Sequence, residues 1–173
     1  VAKAHKAHIM VAVLGEEEKL LERGKLFTKA MAVCCKQKYA TGVYTSGVVF
    51  EPRFYEGLAD MLKEDELPIF NWVWFGLYRS EGGLNGYTYG MDVFGKEEME
   101  VLNTDAEPEE LRDLLASLAS YVLACDVTLQ DGETIGFSAD DKHTITRSPG
   151  VSLPEEQMTL KIGYEPIKGD PED

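Results

Sequence analysis

Between Phe70 and Phe94 the chain gathers Phe70, Trp72, Trp74, Phe75, Tyr78, Tyr87, Tyr89 and Phe94, eight rings in a protein that has 2 Trp, 8 Tyr and 7 Phe in all. Each ring buries on the order of 150–250 Å² when it enters a core, so a fold that carries so many in one stretch must be built around them. In the run IFNWVWFGLYR after Pro68, the positions Phe70, Trp72 and Trp74 alternate with Val73, Phe75 and Leu77, so both faces of an extended segment are apolar. That pattern predicts a central strand. The following Ser80–Gly86 segment holds Gly-Gly and Asn-Gly pairs that reverse a chain, and YTYGMDVF is expected to return as an antiparallel partner. Two uses of such a hairpin stay open. The plainer one is a two-sided sheet core; the other is a stacking wall, with Tyr78, Arg79, Tyr87 and Tyr89 as ligand-binding candidates at a pocket mouth.

Periodicity elsewhere gives an α+β reading. His8–Leu14 (HIMVAVL), closed by Gly15, predicts a buried strand. The acids Glu16, Glu17 and Glu18 suit the positive end of a helix, which Leu20, Phe27, Met31 and Cys34 carry to about Lys38; Gly24 either weakens it or permits close packing. Gly42–Phe50 predicts a second strand, and Pro52 opens a helix with Tyr55, Leu58, Ala59 and Leu62 on its apolar face. Glu98–Asn103 alternates as a strand, and Leu111, Leu114, Leu115, Leu118 and Val122 after Pro108 predict the best helix of the chain. Asp131-Gly132 between apolar runs is a type I′ hairpin signal, with HTITR and MTLKIGY as the last strands. The expected architecture is a mixed, largely antiparallel sheet with about three packed helices and an aromatic-rich central hairpin, in one α+β domain over residues 1–165 with a loose acidic tail over 166–173.

Charge narrows the partners. Of a net −14, residues 81–173 hold 21 Asp+Glu against 6 Lys+Arg, whereas residues 1–80 hold 10 against 11. An acidic half repels phosphates and anionic lipid, so neither nucleic acid nor a membrane surface is an expected partner, while a basic protein would be attracted. No apolar run approaches the roughly 20 residues of a membrane helix. Cys34, Cys35 and Cys125 are an odd set without CxxC spacing, which fits buried free thiols in a reducing cytoplasm better than a redox or metal pair.

Chemistry-bearing motifs are sparse. GxGxxG, GxxxxGK[ST], HExxH and GxSxG do not occur, so no cofactor is expected. His5 and His8 stand three apart and, if residues 5–8 are extended, would point to opposite faces, which disfavours a metal site. Asp126, Asp131 and Glu133 lack the oxygen spacing of a calcium loop. The residual acid–base candidates are Glu98, Asp131, Glu133 and His143. Thr45–Gly47 and Ser148–Gly150 are turns that could hold an anion on backbone N–H groups, though turn chemistry alone explains them.

Read together, AHIMVAVLG, GVYTSGVVFEPRFY, NWVWFGLYR, YTYGMDVFGKEEMEVLN, YVLACDVTLQDGETIGF and TLKIGY resemble the bacterial domain of unknown function family 4261, from His8 to Tyr164, with DGETIGF and FGKEEMEV as its most specific segments. The resemblance implies a further α+β segment upstream of Val1 and names no activity. Gly95, Glu98, Asp131, Gly132, Glu133 and Gly136 match its motif, and no role is transferred to them. The functional expectation is a non-catalytic interaction or immunity-type module with an acidic binding face; the alternative is a small-molecule enzyme or sensor with a cleft at the aromatic hairpin.

Overall fold

The computed structural model describes residues 5–137 and 142–164. It is α+β, with a two-stranded sheet and a six-stranded mixed sheet. The chain forms two compact units, one of residues 5–74 with 90–95, the other of residues 75–89 with 96–137 and 142–164. The tail expected at 166–173 lies outside the described residues.

In the first unit, α1 (Leu20–Cys35) follows a short 3-10 turn. Its fully buried residues are Thr28 and Cys35; of the expected stripe, Met31 packs on the core and Leu20, Phe27 and Cys34 are half-buried. Cys34, Cys35 and Cys125 are all free, and burial raises the Cys35 thiol pKa. Gly24 serves packing: a Cβ there would lie 2.6 Å from the Phe94 ring. Gly42–Phe50 is a hairpin and not one strand, because Ser46 (φ 50°) and Gly47 (φ 74°) both adopt the left-handed conformation that a type I′ turn requires between β1 (Val43–Thr45) and β2 (Val48–Phe50). α2 (Pro52–Ala59) has Pro52 in its first turn, and the Glu51 side chain caps it by accepting from Phe54 N at 2.9 Å.

Two further expectations fail in this unit. His8–Leu14 forms no strand, and Ile9, Met10 and Leu14 are exposed at 78%, 86% and 89%; β-forming composition does not make a strand without an edge to pair with. The run after Pro68 begins as a helical turn, α3 (Ile69–Trp72), closed by a Val73 N to Ile69 O bond of 2.8 Å. The turn carries Trp72 inward to pack on Phe94 (centroids 5.0 Å apart) and to donate from its indole to Thr28 Oγ1 at 2.7 Å. Period-two alternation had placed Trp72 and Trp74 on one face; the turn separates them, and Trp74 is 46% exposed.

Tyr55 is fully buried beside Cys35 and Val43, and its hydroxyl has no well-aligned partner among the described residues. Burial pushes its pKa up to about 12, offset in part by Thr28. An unfolded tyrosine titrates near 10, so between pH 10 and 12 the unfolded chain loses this proton while the folded chain keeps it. Stability from this group is therefore intact below pH 10 and falls by on the order of 3 kcal/mol on the way to pH 12. Urea midpoints of the wild type should drop more steeply over that interval than those of Tyr55→Phe; parallel slopes would contradict the assignment.

The second unit holds the sheet in the order β3 (Trp74–Ser80), β4 (Gly83–Tyr89), β5 (Met99–Thr104), β8 (Met158–Ile162), β7 (His143–Pro149), β6 (Thr134–Ile135). β5 and β8 run parallel; β4–β5, β8–β7 and β7–β6 run antiparallel, so the sheet is mixed and largely antiparallel as expected. The aromatic hairpin β3–β4 forms across Glu81-Gly82, but β3 is an edge strand rather than a central one. α4 (Pro108–Ala124) lays Leu111, Leu115, Leu118 and Val122 on the sheet, each 3% exposed or less. Burial of this kind contributes roughly 1.5–3 kcal/mol per side chain. Gly86 makes room for it, since a Cβ there would stand 2.9 Å from Leu115 and 3.0 Å from Leu111. Asp131-Gly132 does not form the expected type I′ hairpin: only Gly132 has positive φ, and Gly132 N and Glu133 O bond Ile145 of β7 instead.

Candidate functional site

The most organised polar cluster of the second unit was not foreseen from sequence. Side chains alternate across a strand, so Tyr87, next to Gly86 on the α4 face, points to the opposite one. There Tyr87 pairs with Glu100, and Glu100 pairs with Lys161 of β8. The Tyr87 ring lies across Gly76, where a Cβ would fall 2.2 Å from it.

Glu100 is 0% exposed, and its carboxylate is clasped by the loop after β7. Val151 N (3.2 Å to either oxygen), Ser152 N (2.9 Å) and Leu153 N (3.1 Å) donate to it, and Lys161 Nζ lies 3.1 Å away. Lys161 also donates to Pro149 O (2.8 Å), Ser148 O (3.3 Å) and Thr159 Oγ1 (2.5 Å). Successive amides converging on one carboxylate make an anion nest, and here the chain's own glutamate fills it. The turn chemistry read at Ser148–Gly150 is thus displaced by a few residues: Ser148 and Pro149 end β7, and the donors are Val151 to Leu153. Tyr78 touches the same loop, its hydroxyl 3.1 Å from Ser152 Oγ.

The four acid–base candidates are spread over separate structural tasks. Glu98, 1% exposed, accepts from Thr88 Oγ1 at 2.6 Å, and that hydroxyl accepts from Met99 N at 2.8 Å, so the pair stitches β4 to the start of β5. Asp131 is exposed and accepts from Arg147 N at 2.7 Å; Glu133 is exposed and accepts from Gln130 N at 2.8 Å. His143 is 4% exposed at the far end of β7, with Nδ1 3.2 Å from Gly163 O and its ring 5.1 Å from that of Tyr164. Asp131 comes near Arg147, whose guanidinium makes a bidentate bond to Glu97 at 2.6–2.9 Å. That bond and the charge of Glu97 raise the arginine pKa.

The ligand-binding candidates divide similarly. Tyr78 and Tyr89 are 38% and 48% exposed, Arg79 is exposed, and Tyr87 is half-buried over Gly76. Among the described residues no three His, Cys, Asp or Glu side chains gather as a metal site, and no helix is long and apolar enough to cross a membrane.

Sequence reasoning missed Glu100 and Lys161 because each alternates with apolar neighbours and so reads as a solvent position. The available signal was that a strand with Met99 and Val101 on one face, and partners on both edges, leaves its other face little access to water.

No curated protein and no solved structure matches the chain. The sequence resemblance ran from His8, whereas the family match begins at Tyr87, within β4, and takes in β5, α4, the Glu100 clasp and β8. Residues 87–163 match the family described as Domain of unknown function (DUF4261), so the second unit carries a likeness to that family.

Proposed function

We propose that this protein is a non-catalytic interaction module of the cytoplasm that presents the acidic surface of its second unit to a basic protein. The observation that carries the reading is the division of labour among its acids. The inward carboxylates, Glu98 and Glu100, hold backbone and neighbouring side chains. The outward ones accumulate without matching bases: Asp105, Glu107, Glu109, Glu110 and Asp113 are all exposed around the start of α4, with Arg112 as the one cation among residues 105–113. Part of that acid stabilises the positive end of the helix, worth about 0.3–1 kcal/mol per charge, which leaves most of the field free to steer a cationic partner.

The test is capture from a lysate by the immobilised chain, followed by identification of what is retained. A basic protein should be held at low salt and released as salt rises, and the triple variant Asp105→Asn/Glu107→Gln/Glu109→Gln should retain about tenfold less of it. Empty eluates at low salt, or capture indifferent to the variant, would overturn the reading. A second reading, a sensor or enzyme with a small molecule stacked on the hairpin, draws on the exposed rings of Tyr78 and Tyr89. It requires Tyr78→Ala/Tyr89→Ala to abolish ligand binding while leaving lysate capture intact.

A further inference from the structure

The segment His8–Leu14 has the composition of a strand and no strand to join. Among the described residues no backbone hydrogen bond pairs residues 8–12 with any element; the Arg23 guanidinium reaches Val13 O at 3.3 Å and Gly15 O at 3.4 Å and holds only the end of the segment against α1. Ile9, Met10 and Leu14 are among the most exposed large apolar residues of the chain. A stretch that combines β-branched residues, unpaired backbone and exposed apolar side chains is a template for pairing with another chain.

We infer that residues 8–14 pair with the same residues of a second copy of this chain, antiparallel and centred on Val11. The flanking charges select this partner and this direction. Lys6 precedes the segment and Glu16 and Glu18 follow it. In an antiparallel pair centred on Val11, Ile9 faces Val13, Met10 faces Ala12, His8 faces Leu14, and Lys6 of each copy faces Glu16 of the other. A parallel pair would set Lys6 against Lys6 and Glu16 against Glu16, which destabilises. The contact is isologous, so it closes at two copies rather than growing into a fibre. Lys6 and Glu16 are both exposed, and Glu16 pairs at 2.9 Å with its near neighbour Lys19, an exposed pair that can exchange for one across the interface. An isolated two-stranded ribbon is marginal in water, and the association is accordingly weak and concentration-dependent.

Sedimentation of the whole chain over a range of concentrations tests this. A monomer–dimer equilibrium is expected, weakened about tenfold by Val11→Pro, which removes a strand N–H, and comparably by Lys6→Glu. The reciprocal pair Lys6→Glu/Glu16→Lys should restore the dimer, a rescue that a merely misfolded variant would not show. With the three native cysteines replaced by serine, Val11→Cys should oxidise to a cross-linked dimer faster than Met10→Cys, because Val11 alone faces its own counterpart. A chain that stays monomeric at all concentrations, or a dimer indifferent to Val11→Pro and Lys6→Glu, overturns the inference. The acidic capture surface contains none of these residues, so the two proposals fail separately.

Discussion

Replacing Glu100 by Ala is expected to lower the unfolding free energy by about 3–5 kcal/mol, read from urea denaturation. Three effects add in one direction. The substitution leaves Lys161, with a side chain only 16% exposed, beside no carboxylate. It strips the amides of Val151, Ser152 and Leu153 of their acceptor, and each unsatisfied buried donor costs about 1–3 kcal/mol unless the loop opens to water. It also opens a void under Tyr87, the cross-strand neighbour of Glu100. Glu100→Gln keeps the volume and one acceptor oxygen and should lose less. In both variants amide exchange at 151–153 should accelerate before that of β5 and β8, because the clasp fails first. A loss below about 1 kcal/mol would contradict this reading and mean that Lys161 and the three amides are satisfied by water once the carboxylate is gone.

The second large effect is expected at Trp72. Trp72→Ala should cost about 3–5 kcal/mol in the first unit, because the ring is 4% exposed, packs on Phe94 and satisfies the fully buried hydroxyl of Thr28. Trp72→Phe retains most of the apolar contact and removes the N–H donor, so about 1–1.5 kcal/mol should be lost. Circular dichroism melts of the two variants separate packing from hydrogen bonding. Equal losses would mean that the indole N–H to Thr28 bond carries the whole effect.

Long, strongly periodic elements were legible in the sequence, and elements decided by tertiary partners were not. α4 could be read because five apolar positions at helical spacing follow a proline, and both signals act locally. The β3–β4 hairpin could be read because glycine-rich turns act locally too. His8–Leu14 was misread because composition describes what a strand is made of and not whether an edge awaits it. Trp72 was misread because alternation and a single helical turn place side chains alike over three or four residues, and packing against Thr28 and Phe94 decided between them. At the site, Glu98 was picked out as a lone acid, yet its hydrogen bond to Thr88 depends on a pairing between strands that no local pattern encodes. Glu100 was passed over for the same reason: its three amide partners lie about 50 residues further along the chain.

The two roles given to the acids, inward ones that hold backbone and outward ones that meet a partner, separate in a single comparison. Lysate capture at low and high salt should be measured side by side for the wild type, for Asp105→Asn/Glu107→Gln/Glu109→Gln and for Glu100→Gln, at a temperature where all three remain folded. The account predicts that the triple variant loses the salt-sensitive capture, with its stability lowered by about 0.3–1 kcal/mol for each charge removed at the start of α4, while Glu100→Gln keeps the capture despite its own lowered midpoint. Capture lost by Glu100→Gln in its folded state, and kept by the triple variant, would contradict it.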